Sequence, residues 1–86
     1  MSDFQKITAI VLDLSRRANE LRGSAWVHVT CSASQGGWYS SCPMMDISTA
    51  AYSDPFEALD EMEKNIRFRE DAEANLARTL GLEAAE

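Results

Sequence analysis

With 86 residues, 45% of them hydrophobic types, the chain has room for one domain with a modest core, and its composition is globular rather than disordered. Fourteen acidic residues against eight basic ones give a formal net charge of −6 at pH 7. That balance excludes sequence-independent binding to nucleic acid or to an anionic membrane, because both need clustered Lys and Arg. It fits a basic protein partner.

The start, Met1-Ser2-Asp3-Phe4-Gln5-Lys6, lacks the basic stretch before an apolar run that marks a secretory signal. No segment approaches the roughly 18 apolar residues of a membrane span. A cytoplasmic protein is therefore expected.

A helix is predicted over residues 3–22. Phe4, Ile7, Val11, Leu14, Ala18 and Leu21 fall three or four apart and form one apolar stripe, which Ile10 and Leu12 widen. Ser2 and Gln5 have the spacing of a capping box, and Gly23 suits the left-handed position just past a helix end. The stripe could also serve a coiled-coil pair, but an ordinary core helix fits its short length better.

Strands are predicted within residues 25–49. Ala25, Val27, Val29, Cys31 and Ala33 share one face of the first, and Trp26, His28, Thr30 and Ser32 share the other. Ser34-Gln35-Gly36-Gly37 is a turn signal, and a second strand follows from Trp38. A two-residue turn at Gly36-Gly37 sets Cys31 opposite Cys42; a three-residue turn matches Val27 with Met45 and Ala25 with Ile47. Pro43 cannot donate to a ladder and implies an edge, a bulge or a break. Residues 44–49 either continue the second strand or form a third.

A second helix is predicted over residues 55–80, with a frayed end at 81–86. Asp54 is its N-cap, Pro55 its first residue and Glu57 its N3 position. Phe56, Leu59, Met62 and Ile66 make an apolar stripe. Arg69 and Glu73 interrupt it, and the apolar set moves to Phe68, Ala72, Leu76 and Leu80. Either the second half projects beyond the sheet, or the helix bends around one core. The fold class expected is α+β: a two- or three-stranded antiparallel sheet with two helices, ordered α-β-β-(β)-α, in a single domain over 1–86.

No residue pattern carries catalytic chemistry. The spacing of Cys31 and Cys42 matches no redox motif, and free thiols packed as small apolar groups are the expectation, with a disulfide as the alternative. A zinc set could be drawn from His28, Cys31, Cys42 and Asp46, but the spacing fits no zinc finger, and His28 and Cys31 point to opposite sheet faces. No metal, no cofactor and no enzyme activity are expected. Met44-Met45 reads as core filling or as an adaptable contact surface.

The carboxylates are the remaining feature. Most of them lie from Asp54 onward. Asp54, Glu57, Asp60, Glu61, Glu63, Glu70 and Asp71 form the candidate partner-binding face of the second helix, and Trp26, Trp38 and Tyr39 are candidate aromatic anchors. Asp60–Lys64 and Glu63–Arg67 have the favourable i,i+4 order. In size and charge the chain is similar in general character to phage-encoded inhibitors, anti-CRISPR and DNA-mimic proteins among them. That likeness implies a small inhibitor in a host cytoplasm that offers carboxylates to a basic, nucleic-acid-binding type of site on a larger protein. The other reading is an assembly component that dimerises through its helices.

Overall fold

The computed structural model describes residues 2–85, and side-chain surroundings for residues 2–81. The elements run α1 (Asp3–Leu21), β1 (His28–Ser32), β2 (Gly37–Cys42), a 3-10 turn (Pro43–Met45), β3 (Ile47–Ser48) and α2 (Pro55–Ala85). The sheet is antiparallel with strand order β1-β2-β3. This is the α+β fold that the sequence predicts, with the third strand present.

α1 starts at the expected capping box: the Gln5 N–H donates to Ser2 Oγ at 3.2 Å and the Ser2 N–H to Gln5 Oε1 at 3.0 Å. Its end differs from expectation. The left-handed residue is Ser24, at φ 68°, not Gly23. Asn19 explains the exchange: its Oδ1 accepts from the Ser24 N–H, and its Nδ2 donates to the carbonyls of Ser15 and Ala25. One side chain thus folds the exit back onto the helix and supplies the local bonding that lets a non-glycine residue hold this conformation. Ser15 continues the tie, accepting from the Val27 N–H at 3.0 Å.

The hairpin takes neither expected register. Cys31 pairs with Trp38 and Ser32 with Gly37, which leaves the four residues 33–36 as the loop. The two glycines do different jobs. Gly36, at φ 88°, closes the turn with its N–H on Ala33 O, and Gly37 is already strand. A bridge between Trp38 and Tyr52 runs so close to Gly37 that a Cβ there would lie 2.2 Å from Tyr52 O. Cys42 therefore sits four positions along from the residue facing Cys31, about 13 Å at strand rise, and a disulfide is out of reach. Both cysteines are free; Cys31 is exposed and Cys42 buried. Burial pushes the Cys42 thiol up. Pro43 breaks the strand into the 3-10 turn, and Asp46, left-handed at φ 55°, ends that turn. Met45 enters the core and Met44 is exposed, so the methionine pair divides between the two readings.

The core lies between the sheet and the helices. Leu14 and Ala18 of α1 and Leu59, Met62 and Ile66 of α2 meet Val27, Cys42, Met45 and Ile47. Buried Ser40 and Thr49 satisfy each other: the Ser40 N–H donates to Thr49 Oγ1, the Thr49 N–H to Ser40 O, and Ser40 Oγ to His28 O. Leu12, expected to widen the buried face of α1, is exposed, while Ile7, Ile10 and Val11 of the same helix pack partly buried against the core. Phe4 is exposed too.

α2 begins at Asp54, whose Oδ1 accepts from the Phe56 N–H at 2.8 Å. It does not end at 80. Gly81 lacks the positive φ of a helix terminator, and the helix continues to Ala85; Glu86, the last residue of the expected frayed end, lies outside the described residues. Every residue from Asp71 to Gly81 is exposed. The break in the apolar stripe marks where the helix leaves the body. The principal extents are 54 × 28 × 20 Å, and the radius of gyration is 15.2 Å, against about 12 Å for a compact chain of this length.

Candidate functional site

α1 and α2 lie side by side in the same sense, since Ile10 and Leu14 line one groove with Phe56 and Leu59, while Arg17 reaches Glu63 and Glu70 further along. The floor of that groove is apolar. Asp13 and Asp60 stand on its rim, and Arg17 with Glu63 closes one end. A second concavity adjoins it through Phe56 and Asp60 and adds Tyr52, Glu57, Glu61 and Lys64.

The seven candidate carboxylates do not form one uniform face. Glu63 and Glu70 are taken internally. The Arg17 guanidinium bonds Glu70 through Nε at 3.0 Å and Nη2 at 2.5 Å, and its Nη2 also reaches Glu63 at 3.1 Å. Arg67 holds the other side of Glu63, as its i,i+4 spacing predicts. Glu61 is half engaged: its Oε1 accepts from the Tyr52 phenol at 2.5 Å and from the Ala50 N–H at 3.2 Å. Glu57 and Asp60 are exposed, and Asp60 shares its charge with Lys64 at 3.2 Å, again the predicted pair. Asp54 is spent on the helix cap, and Asp71 lies on the projecting part of α2. The acidic patch is thus Glu57, Asp60 and Glu61 around Tyr52, with Lys64 offsetting one of its three charges. The hydrogen bond to Glu61, with burial and the Glu61, Glu57 and Asp60 charges behind it, raises the Tyr52 phenol above its ordinary value, so the hydroxyl stays a donor.

The aromatic candidates are dispersed. Trp26, 57% exposed, and half-buried Tyr39 belong to the sheet face turned away from the helices, about four strand positions apart. Trp38 lies on the other face, its backbone bonded to Tyr52 by two 2.7 Å bonds. No single flat contact meets both the acidic patch and the Trp26–Tyr39 face. Among the described residues, no three His, Cys, Asp or Glu side chains could share a metal ion, and no helix is long and apolar enough to cross a membrane.

Arg17 and Tyr52 organise this region, and neither stands out in the sequence. Arg17 finds its partners 46 and 53 residues away, with no local spacing to announce them. Its role is testable by pH. Arg67 and Arg17 hold Glu63, and Arg17 holds Glu70, below their ordinary 4.5. Lowered carboxylate values give stability that is complete above the ordinary value and is lost as pH falls through the lowered ones. The Arg17 side chain is only 19% exposed, so Arg17→Met should lower stability at pH 7 by about 1–2 kcal/mol. It should also flatten the acid limb of Tm against pH below about 4.5. An unchanged acid limb would show that the Arg17 pairs contribute nothing.

Compared with protein-family models, with curated proteins and with solved structures, the chain has no match.

Proposed function

We propose that this is a non-enzymatic protein that binds a larger protein and inhibits it by covering a basic site of the kind that receives nucleic acid. The observation that carries the reading is the setting of Glu57, Asp60 and Glu61. Glu57 makes no ion pair among the described residues, Asp60 pairs only with exposed Lys64, and Glu61 keeps its charge while accepting from Tyr52 and Ala50. Asp60 stands on the rim of an apolar groove floored by Ile10, Leu14, Phe56 and Leu59, and Glu57 and Glu61 line the concavity that adjoins it. Carboxylates beside apolar surface match a partner whose Lys and Arg side chains bring charged tips on hydrocarbon stems. Complementary charge speeds the encounter and orients it, while the apolar floor slows release.

The test is the double variant Glu57→Lys/Asp60→Lys. Both side chains are exposed and neither is needed for the cap or the Tyr52 contact, so the fold should persist. With the partner captured from host lysate and then purified, the variant should bind about 10- to 100-fold more weakly, ~1.4–2.8 kcal/mol. Its affinity should depend less on salt, and duplex DNA should compete with the native chain. Equal affinity and equal salt dependence in the variant would rule out the acidic patch as the contact.

A further inference from the structure

β1 is the outer strand of the sheet, and one side of it is unpaired. The bonding of β2 shows which groups lie on that side. The Trp38 N–H and C=O bond Tyr52, and the Ser40 N–H and C=O bond Thr49, so both residues turn their backbones toward β3. Directly opposed residues of an antiparallel ladder either bond each other or both face away. Cys31, opposite Trp38, and Val29, opposite Ser40, therefore present their N–H and C=O groups to the open edge. The Val27 N–H points off the same edge, but Ser15 Oγ takes it, and at the far end Ala33 O accepts from the Gly36 N–H. The open stretch runs from Val29 to Cys31. Native sheets guard such an edge with charge, proline or a bulge, yet residues 24–37 contain no Asp, Glu, Lys or Arg and no proline.

A groove runs beside this edge. Phe4, Ile7, Val11 and Leu12 of α1 form its wall, and Val27 and Val29 its floor. Phe4 and Leu12 are 78% and 61% exposed. Among the described residues, no charged side chain lines it. The unpaired groups define what covers the stretch: N–H donors and C=O acceptors alternating along a strand are complementary to the backbone of another extended chain. In an antiparallel addition the residues opposite Val29 and Cys31 each exchange two bonds, and their side chains fall on the face of Val29, toward α1. The absence of charge in the groove asks for apolar side chains at those two positions. A second copy of this chain is a poor occupant. Ser15 holds α1 over the outer margin of β1, and a second copy paired through β1 brings its own α1 to that margin. The net charge of −6 opposes that encounter as well.

We propose that β1 is a docking strand for an extended, uncharged segment of another protein. The segment adds antiparallel to β1 between Val29 and Cys31, and two alternate apolar side chains seat against Phe4 and Leu12. The edge lies on the opposite side of β2 from Tyr52 and its carboxylates, so it recognises a backbone where the acidic patch recognises charge.

The probe is a blocked five-residue peptide with valine at its second and fourth positions and serine elsewhere, titrated into the isotope-labelled full chain and followed by amide NMR. Saturable shifts centred on Val29, Cys31 and Leu12 are expected in the millimolar range, with slowed hydrogen exchange at the Val29 and Cys31 amides. Methylating both valine nitrogens of the peptide should weaken binding at least about 10-fold, because it removes the donors to the Val29 and Cys31 carbonyls. Cys31→Pro removes an outward N–H, a change that an edge strand tolerates, and should weaken the unmethylated peptide to a similar extent. Leu12→Glu, at an exposed helix position, should do the same without touching the strand. Glu57→Lys/Asp60→Lys should bind the peptide as the native chain does, so failure here and failure of the acidic-patch reading are separate results. Absence of saturable shifts at millimolar peptide, or undiminished binding of the methylated peptide or by Cys31→Pro, would overturn the proposal. So would protection of the two amides that rises with protein concentration when no peptide is present, since a second copy would then hold the edge.

Discussion

Gly37→Ala is expected to destabilise the fold by about 2–4 kcal/mol, from overpacking together with an unfavourable backbone angle. A Cβ at residue 37 would stand 2.2 Å from Tyr52 O and 3.0 Å from Tyr52 C, and both are backbone atoms that no rotamer change can move. The φ of 156° at Gly37 adds a conformation that side-chain-bearing residues rarely adopt. Relief requires residue 52 to back away, which strains the two 2.7 Å bonds that join it to Trp38. It also withdraws the phenol from Glu61. The total stability of a chain this size is about 4–13 kcal/mol by the usual per-residue figure, so the loss is a large share. Urea unfolding is the measurement, with two controls. Gly36→Ala, at φ 88° with open space around it, should lose only about 1 kcal/mol. Gly23→Ala, with open space and no positive φ, should be near neutral or mildly stabilising. A Gly37→Ala loss no greater than that of Gly36→Ala would show that residue 52 yields easily.

The same glycine shows where sequence reasoning runs out. The element order and the helix starts at Ser2 and Asp54 were legible, because periodicity and caps are local signals. The hairpin register was not. Gly36-Gly37 looks like a two-residue turn, but Gly37 is spent on a close approach to Tyr52, a contact 15 residues away that no local pattern encodes. The acidic face was legible as composition and was divided by a tertiary contact: Arg17 withdraws Glu63 and Glu70, leaving Glu57, Asp60 and Glu61. The exchange of Gly23 for Ser24 at the end of α1 has the same origin in the side chain of Asn19. The break in the second helix's stripe at Arg69 and Glu73 carried the most information, since it marked where the helix leaves the core while leaving open what lay beyond.

That boundary yields the second large effect. Among the described residues Ile66 is the last fully buried side chain of α2, packed in the core with Leu14 and Ala18 of α1 and Val27 ahead of the sheet. Two residues later Phe68 is 71% exposed, and Leu76 is 54% exposed. Ile66→Ala removes buried methyl groups and leaves a cavity that the rigid neighbours fill only in part, so a loss of about 2–5 kcal/mol is expected. Leu76→Ala removes a similar volume of hydrocarbon from a site with no core around it. It should cost no more than about 0.5 kcal/mol, and Ala's higher helix propensity offsets part of that. Thermal unfolding should show the contrast as a Tm lowered by roughly 10 °C or more for Ile66→Ala and by a few degrees at most for Leu76→Ala, on the scale of about 4–8 °C per kcal/mol for domains of this size. Equal losses for the two variants would mean that the second half of α2 folds back onto a core of its own, and the row from Phe68 to Leu80 would then not project.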